Sequence, residues 1–201
     1  MTVPMLRERK ESHSPLAMVT AYDSTFASIV DEAGVDLILV GDSVATVMQG
    51  QRNTLGVSMQ DMEYHVRLVA SVKPNALIVG DMPFGSYQSS VKDAVDNAVR
   101  LVKAGAEIVK LEGGIHVAEQ IRAIAAADIP VMGHIGLTPQ SYHRMGGNKV
   151  QGRYSGDAAG SKERLLEDAH AVEQAGACAV VIEAVPASLA ANTAASIRLI
   201  C

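Results

Sequence analysis

The stretch LILVGDS, residues 37–43, sets four apolar, strand-forming residues directly before Gly41, Asp42 and Ser43. Nearly the same phrase returns as LIVGDMP, residues 77–83. Two strands that end in the same Gly-Asp pair point to a repeated unit, and a search for repeats finds one. EAGVDLILVGD begins at Glu32, KAGAEIVKLEGG at Lys103 and QAGACAVVIEA at Gln174. Each places Ala-Gly before a short apolar run and an acid at its end: Asp42, Glu112 or Glu183. Gly34, Gly105 and Gly176 occupy the position just past a helix, where left-handed backbone is needed. Each copy therefore predicts a helix, a short loop and a buried strand.

Filling in between gives an alternation. Strands are predicted at residues 17–20, 36–40, 76–80, 107–111, 130–133 and 179–182. Their runs are continuously apolar rather than alternating, as suits parallel strands covered on both faces. Helices are predicted at 24–33, 58–72, 90–104, 117–126 and 162–175; Ser58 with Asp61 has the layout of a capping box. The order βαβαβα means a parallel α/β fold. A (β/α) barrel is the first reading and an open doubly wound sheet the second. No Gly-x-Gly-x-x-Gly follows the first strand, which weakens a dinucleotide-binding version.

Composition narrows the function classes. The 201 residues are 48% hydrophobic but only 3% aromatic, so one domain with an aliphatic core is expected. A net charge of −5 with interspersed signs offers no basic stripe for nucleic acid. Two cysteines, Cys178 and Cys201, are no disulfide framework and fit a reducing cytoplasm. The N-terminus lacks the apolar centre of a signal peptide, and no apolar run reaches membrane-spanning length.

In a parallel barrel the strands present their C-terminal ends to the active site. The residues there are Tyr22-Asp23, Asp42-Ser43, Asp81, Glu112, His134 and Glu183, with Lys110 on the same strand face as Glu112. Several acids converging on one rim repel unless a positive group sits among them. A hard divalent cation answers this, and Mg²⁺ takes one or two carboxylates plus substrate. Asp42 and Asp81, each behind a glycine, are the best ligand pair. Lys110 suits a substrate carboxylate, and a sheltered Glu183 suits a general base. His65, His116, His143 and His170 read as packing or surface residues. GGNKVQGR, residues 146–153, is a Gly-rich loop with two cations that suits either closure over an anion or a plain turn.

Seven ordered motifs carry a resemblance: VTAYDS (19–24), LVGDS (39–43), DMPFGSY (81–87), VKLEGG (109–114), GHIGLTPQS (133–141), GGNKVQGR (146–153) and IEAVP (182–186). Together they resemble the ketopantoate hydroxymethyltransferase family. The resemblance implies an α/β fold, a (β/α)8 TIM barrel of the phosphoenolpyruvate/pyruvate type, assembled as a homo-decamer. It implies hydroxymethyl transfer from 5,10-methylenetetrahydrofolate to 3-methyl-2-oxobutanoate through a Mg²⁺-stabilised enolate, the first step of pantothenate biosynthesis. By motif, Asp42 and Asp81 would bind Mg²⁺, and Glu112 would hold a metal-bound water. Ser43, Lys110, Asp42, Asp81 and His134 would contact the keto acid, and Glu183 would be the catalytic base.

Length runs against a full barrel. Six strands are predicted, where a (β/α)8 barrel has eight and typically ~250 residues. The expectation is a single barrel domain, residues 1–201, C-terminally truncated to about six βα units. A fragment, a chain completed by another chain, and a non-catalytic assembly partner all fit that expectation. A Mg²⁺-dependent carbon–carbon lyase or mutase acting on an α-keto acid is the alternative within enzymes.

Overall fold

The computed structural model describes residues 1–156 and 160–201. Six parallel strands lie in the order of the chain: β1 (Met18–Thr20), β2 (Leu37–Val40), β3 (Leu77–Asp81), β4 (Ile108–Glu112), β5 (Val131–Gly136) and β6 (Ala179–Glu183). An order that never reverses has no topological switch point, so the sheet is the rolled, barrel-type arrangement and not a doubly wound one. After β6 a single parallel bridge joins Ala179 to Ile200, beside the outer edge of β6.

Nine helices are described. α1 (Val3–Glu11) precedes the sheet. α2 (Ser24–Glu32) follows β1, α3 (Val44–Val47) and α4 (Met59–Ala70) follow β2, α5 (Val91–Ala104) follows β3 and α6 (Ala118–Ala126) follows β4. α7 (Tyr142–Met145), α8 (Lys162–Gln174) and α9 (Ala187–Ser196) complete the set. The five longer predicted helices are all present, within two residues at each end. Ser58 and Asp61 form the reciprocal capping box at the start of α4. Gly34, Gly105 and Gly176 have φ of +81°, +118° and +99°, as their places after α2, α5 and α8 require.

Period-two alternation sorts the strand residues into two cores. Ile38, Ile78, Val109, Val131, Ile135 and Val180 face outward and pack beneath the helices. Leu37, Leu77, Val79, Ile108, Met132 and Ala179 face inward with Leu6 of α1, which is 1% exposed and closes the floor. The charged N-terminal stretch therefore forms a helix whose one buried apolar residue completes the interior.

The Gly-Asp repeat now has a physical reason at β3. Gly80 faces outward, where an added Cβ would lie 3.0 Å from Ala106 and 3.4 Å from Val66, so the helix layer closes tightly only over glycine. Asp81, next in line, faces inward.

β1 departs from expectation. It was predicted as a covered strand, yet Met18 and Val19 are 36% and 39% exposed. As the first strand of the sheet it is paired on one side only, so it is an edge. β5 runs on to Gly136, which places His134 inside the strand rather than after it. Among the described residues no helix is long and apolar enough to cross a membrane.

Candidate active site

Register brings the inward charges together. Asp81 on β3 is opposite Lys110 on β4, and one step further up Glu112 is opposite His134 on β5. Gly136, near the end of β5, is opposite Glu183 on β6. All four of Asp81, Lys110, Glu112 and His134 are buried, as is Asp42 in the turn after β2.

The contacts form a chain across five strands. The Asp42 amide donates to Asp81 Oδ2 at 3.1 Å, and Lys110 Nζ donates to Asp81 Oδ1 at 2.6 Å. Lys110 Nζ is also 4.0 Å from Glu112 Oε1. His134 Nδ1 lies 3.4 Å from Glu112 Oε1, and its Nε2 lies 3.1 Å from Glu183 Oε2. Among the described residues neither ring nitrogen has an aligned hydrogen-bond partner, and the two carboxylates flank His134 at ion-pair distance.

Charge balance explains the protonation tendencies. Burial, then the charges of Asp81 and Glu112, push the Asp42 carboxyl up to about 7 against the pull of Lys110. Burial raises Asp81 as well, with Lys110 opposing. Burial alone would lower Lys110, but Asp81, Glu112 and Asp42 together hold its ammonium above the ordinary value. Burial alone would raise Glu112, yet His134 and Lys110 keep it below its usual range. Burial alone would lower His134, and the two flanking carboxylates more than reverse this.

Two neutral side chains that sequence reasoning passed over tie this array together. Gln140 is buried in the turn after β5; its Nε2 donates to Asp42 Oδ2 at 3.0 Å and to the Met82 carbonyl at 2.9 Å. Its backbone N–H donates to Glu112 Oε2 at 2.9 Å. Its Oε1 accepts from Tyr87 Oη at 2.7 Å, while that hydroxyl accepts the Glu112 amide N–H at 3.1 Å. Both lie within the motifs GHIGLTPQS and DMPFGSY, but neither carries a charge that marks it in the sequence.

Other candidates fall differently. Asp23 does not join the rim: its carboxylate caps α2 by accepting the Phe26 N–H at 2.8 Å. Tyr22 is buried and its hydroxyl meets Ser43 Oγ at 2.8 Å, which sets Ser43 beside Asp42. Glu183 lacks the expected shelter, its side chain being 42% exposed. His116 lies in a 3-10 turn, Ile115–Val117, before α6. His65 Nδ1 meets the Tyr22 carbonyl at 2.7 Å, a packing role.

A hard cation fits this donor set. Three buried acids face one lysine, and no protein hydrogen bond reaches Asp42 Oδ1 among the described residues. Asp42 and Asp81 would be the pair to hold it, Asp42 Oδ1 being open while Asp81 Oδ1 and Oδ2 already accept from Lys110 and the Asp42 amide. Glu112, the third expected ligand, has Oε2 engaged by Gln140 and Oε1 facing His134. Among the described residues no three His, Cys, Asp or Glu side chains are gathered to hold a metal ion.

Comparison with known proteins agrees with the geometry. The family pattern described as ketopantoate hydroxymethyltransferase matches residues 1–201. The chain is 50% identical over 200 residues to 3-methyl-2-oxobutanoate hydroxymethyltransferase of Pelobacter propionicus, covering 99% of this chain and 72% of that one. It is 54% identical over 190 residues to the protein of that name from Geobacter metallireducens, covering 94% and 70%. Among solved structures, 2,3-dimethylmalate lyase, a member of the PEP mutase/isocitrate lyase superfamily, superposes with a TM-score of 0.69 at 17% identity, covering 98% of this chain and 67% of that one. That likeness concerns the fold. The match along all 201 residues and the half-identical relatives place the chain in the ketopantoate hydroxymethyltransferase family.

Proposed function

We propose that the chain transfers a hydroxymethyl group from 5,10-methylenetetrahydrofolate to 3-methyl-2-oxobutanoate, giving 2-dehydropantoate and tetrahydrofolate. The observation that carries this reading is the buried series Asp42, Asp81, Lys110, Glu112 and His134, ending on the half-open Glu183. It supplies a negative pocket for a cation, a cation for a carboxylate, and an accessible carboxylate for a proton.

Asp42 and Asp81 would hold Mg²⁺, which when bound supplies Lewis-acid stabilisation of negative charge on the keto acid. Lys110 and Ser43 orient the substrate carboxylate by charge and hydrogen bond. Glu183 Oε2 takes the proton from C3 of the substrate. His134, 3.1 Å away, holds that carboxylate at the rim and steadies it with positive charge. The electron pair left on C3 forms the new carbon–carbon bond to the one-carbon unit as one of its two bonds to folate nitrogen breaks. Water displaces the second folate nitrogen and its oxygen becomes the new hydroxyl, while the proton from C3 and one proton from that water end on the two nitrogens of tetrahydrofolate. Glu112, fixed by Gln140 and Tyr87, keeps Lys110 and His134 in place. A homo-oligomeric assembly and a cytoplasmic setting accompany this reading; Cys178 and Cys201 are both free thiols.

The direct test is exchange of the C3 proton of 3-methyl-2-oxobutanoate in D₂O, followed by NMR without folate. Exchange is expected with Mg²⁺ and lost with chelator. Glu183→Gln should abolish exchange while Mg²⁺-dependent binding of the keto acid survives. Exchange that persists in that variant removes Glu183 from the base role, and its absence from folded wild-type protein removes the catalytic reading altogether.

A further inference from the structure

The ends of β4 and β5, the start of α8 and residues of the segment 144–154 enclose a cavity of about 780 Å³. None of the charged array just described lines it, yet it adjoins that array. Gly113, the residue after Glu112, lines it, and so does Gly136, the register partner of Glu183.

Its lining is cationic. Arg144, Lys149, Arg153 and Arg164 face it, and Asp168 is the one acid in the lining among the described residues. Arg164 is already matched, 3.5 Å from both Asp168 and Glu167. Among the described residues Arg144, Lys149 and Arg153 have no carboxylate within salt-bridge distance; Arg144 donates only to Ser141 Oγ at 3.1 Å. The positive field is felt by His116 in the same wall: burial first, then the charges of Arg144 and Arg164, lower its pKa.

A second observation is independent of charge. Thr138 lines the cavity, is 4% exposed, and its hydroxyl has no hydrogen-bond partner among the described residues. A buried hydroxyl left without a partner costs free energy unless a ligand or water satisfies it. Unmatched guanidinium and ammonium groups in the same lining suit a ligand rich in anionic oxygens. The volume lies within the range of small-molecule sites, roughly 300–1,000 Å³.

We propose that this cavity binds the carboxylate-bearing glutamyl tail of the folate one-carbon donor, beside the ends of β4 and β5 where its reactive end meets the keto acid. The proposal rests on the functional reading above and names the part of the protein that holds the second substrate. The loop GGNKVQGR thereby acquires a role, supplying Lys149 and Arg153.

The test is calorimetric titration of the full chain with monoglutamyl and polyglutamyl tetrahydrofolate. 6-Methyltetrahydropterin, which lacks the tail, and inorganic phosphate serve as comparison probes. The variant is the combined Arg144→Ala, Lys149→Ala, Arg153→Ala. The triple variant should bind tetrahydrofolate roughly tenfold or more weakly. It should bind the pterin as wild type does and retain Mg²⁺-dependent C3 exchange, which also reports that it is folded. Polyglutamyl folate should bind more tightly than monoglutamyl, with a steeper dependence on salt. Unchanged folate affinity in the triple variant overturns the assignment, as does phosphate binding that is indifferent to competing glutamyl folate. Loss of C3 exchange in wild type would instead strike the functional reading, so the two failures are separable.

Discussion

At the residue scale the site depends on a neutral amide as much as on its charges. Gln140 spends both Nε2 hydrogens on Asp42 and the Met82 carbonyl, and no other protein donor bonds to the Asp42 carboxylate among the described residues. Gln140→Leu keeps the volume and removes those bonds. It should weaken Mg²⁺ binding by about 10–100-fold, the usual cost of losing a group that orients a ligand. Excess Mg²⁺ should restore exchange, which a general collapse of the fold would not allow. Asp42 makes a second prediction. Its carboxyl is pushed up to about 7, so below that value a cation must displace a proton to bind. Mg²⁺ affinity should therefore rise with pH by up to roughly tenfold per unit below about 7, and level off above it. Titration at several pH values, with proton release measured in two buffers, checks the sign.

At the element scale the placement of Glu183 depends on how closely β6 approaches β5. Gly136 has φ +87°, and a Cβ there would lie 2.3 Å from the Glu183 carbonyl oxygen. Backbone cannot yield as a side chain can. Gly136→Ala should therefore displace the end of β6 together with the base it carries. A misplacement of about 1 Å costs on the order of 100-fold in rate, so exchange should fall far more than thermal stability does. A melting temperature lowered by several degrees, because Ala strains this left-handed backbone, with a far larger proportional loss of exchange is the expected pair of results. Helices are less exposed to such effects. α4 has its own capping box and α5 ends on a left-handed Gly105, so local chemistry sets their limits.

At the scale of the whole molecule the sheet has two ends. Among the described residues β1 and β6 each pair with one neighbouring strand, apart from the single bridge from Ala179 to Ile200. Val19 on β1 is exposed, and Phe26 and Ile29 on α2 add apolar surface nearby in sequence. Unpaired strand edges template association, and a lysine placed on one opposes it. Val19→Lys should raise the concentration at which the protein begins to associate, measured by light scattering, without lowering C3 exchange. The opposite floor is better protected, because Leu6 of α1 seals the inward core.

The elements and their order were legible in the sequence because they follow from local pattern. Apolar runs, Ala-Gly punctuation and the Ser58–Asp61 cap each act within a few residues. The inward direction of Lys110 and Glu112 follows equally from a period of two along one strand. The seven motifs were enough to name the family. What only the tertiary structure decided was which side chains meet. Asp23 turned to cap its own helix, β1 became an exposed edge, and Glu183 stayed half open. Gln140 reaches Asp42 across 98 residues of chain. No local rule encodes that bond. It follows from strand register, summed over β2 to β5, and from a 3-10 turn at Pro139–Ser141 that turns a neutral amide into the charged centre.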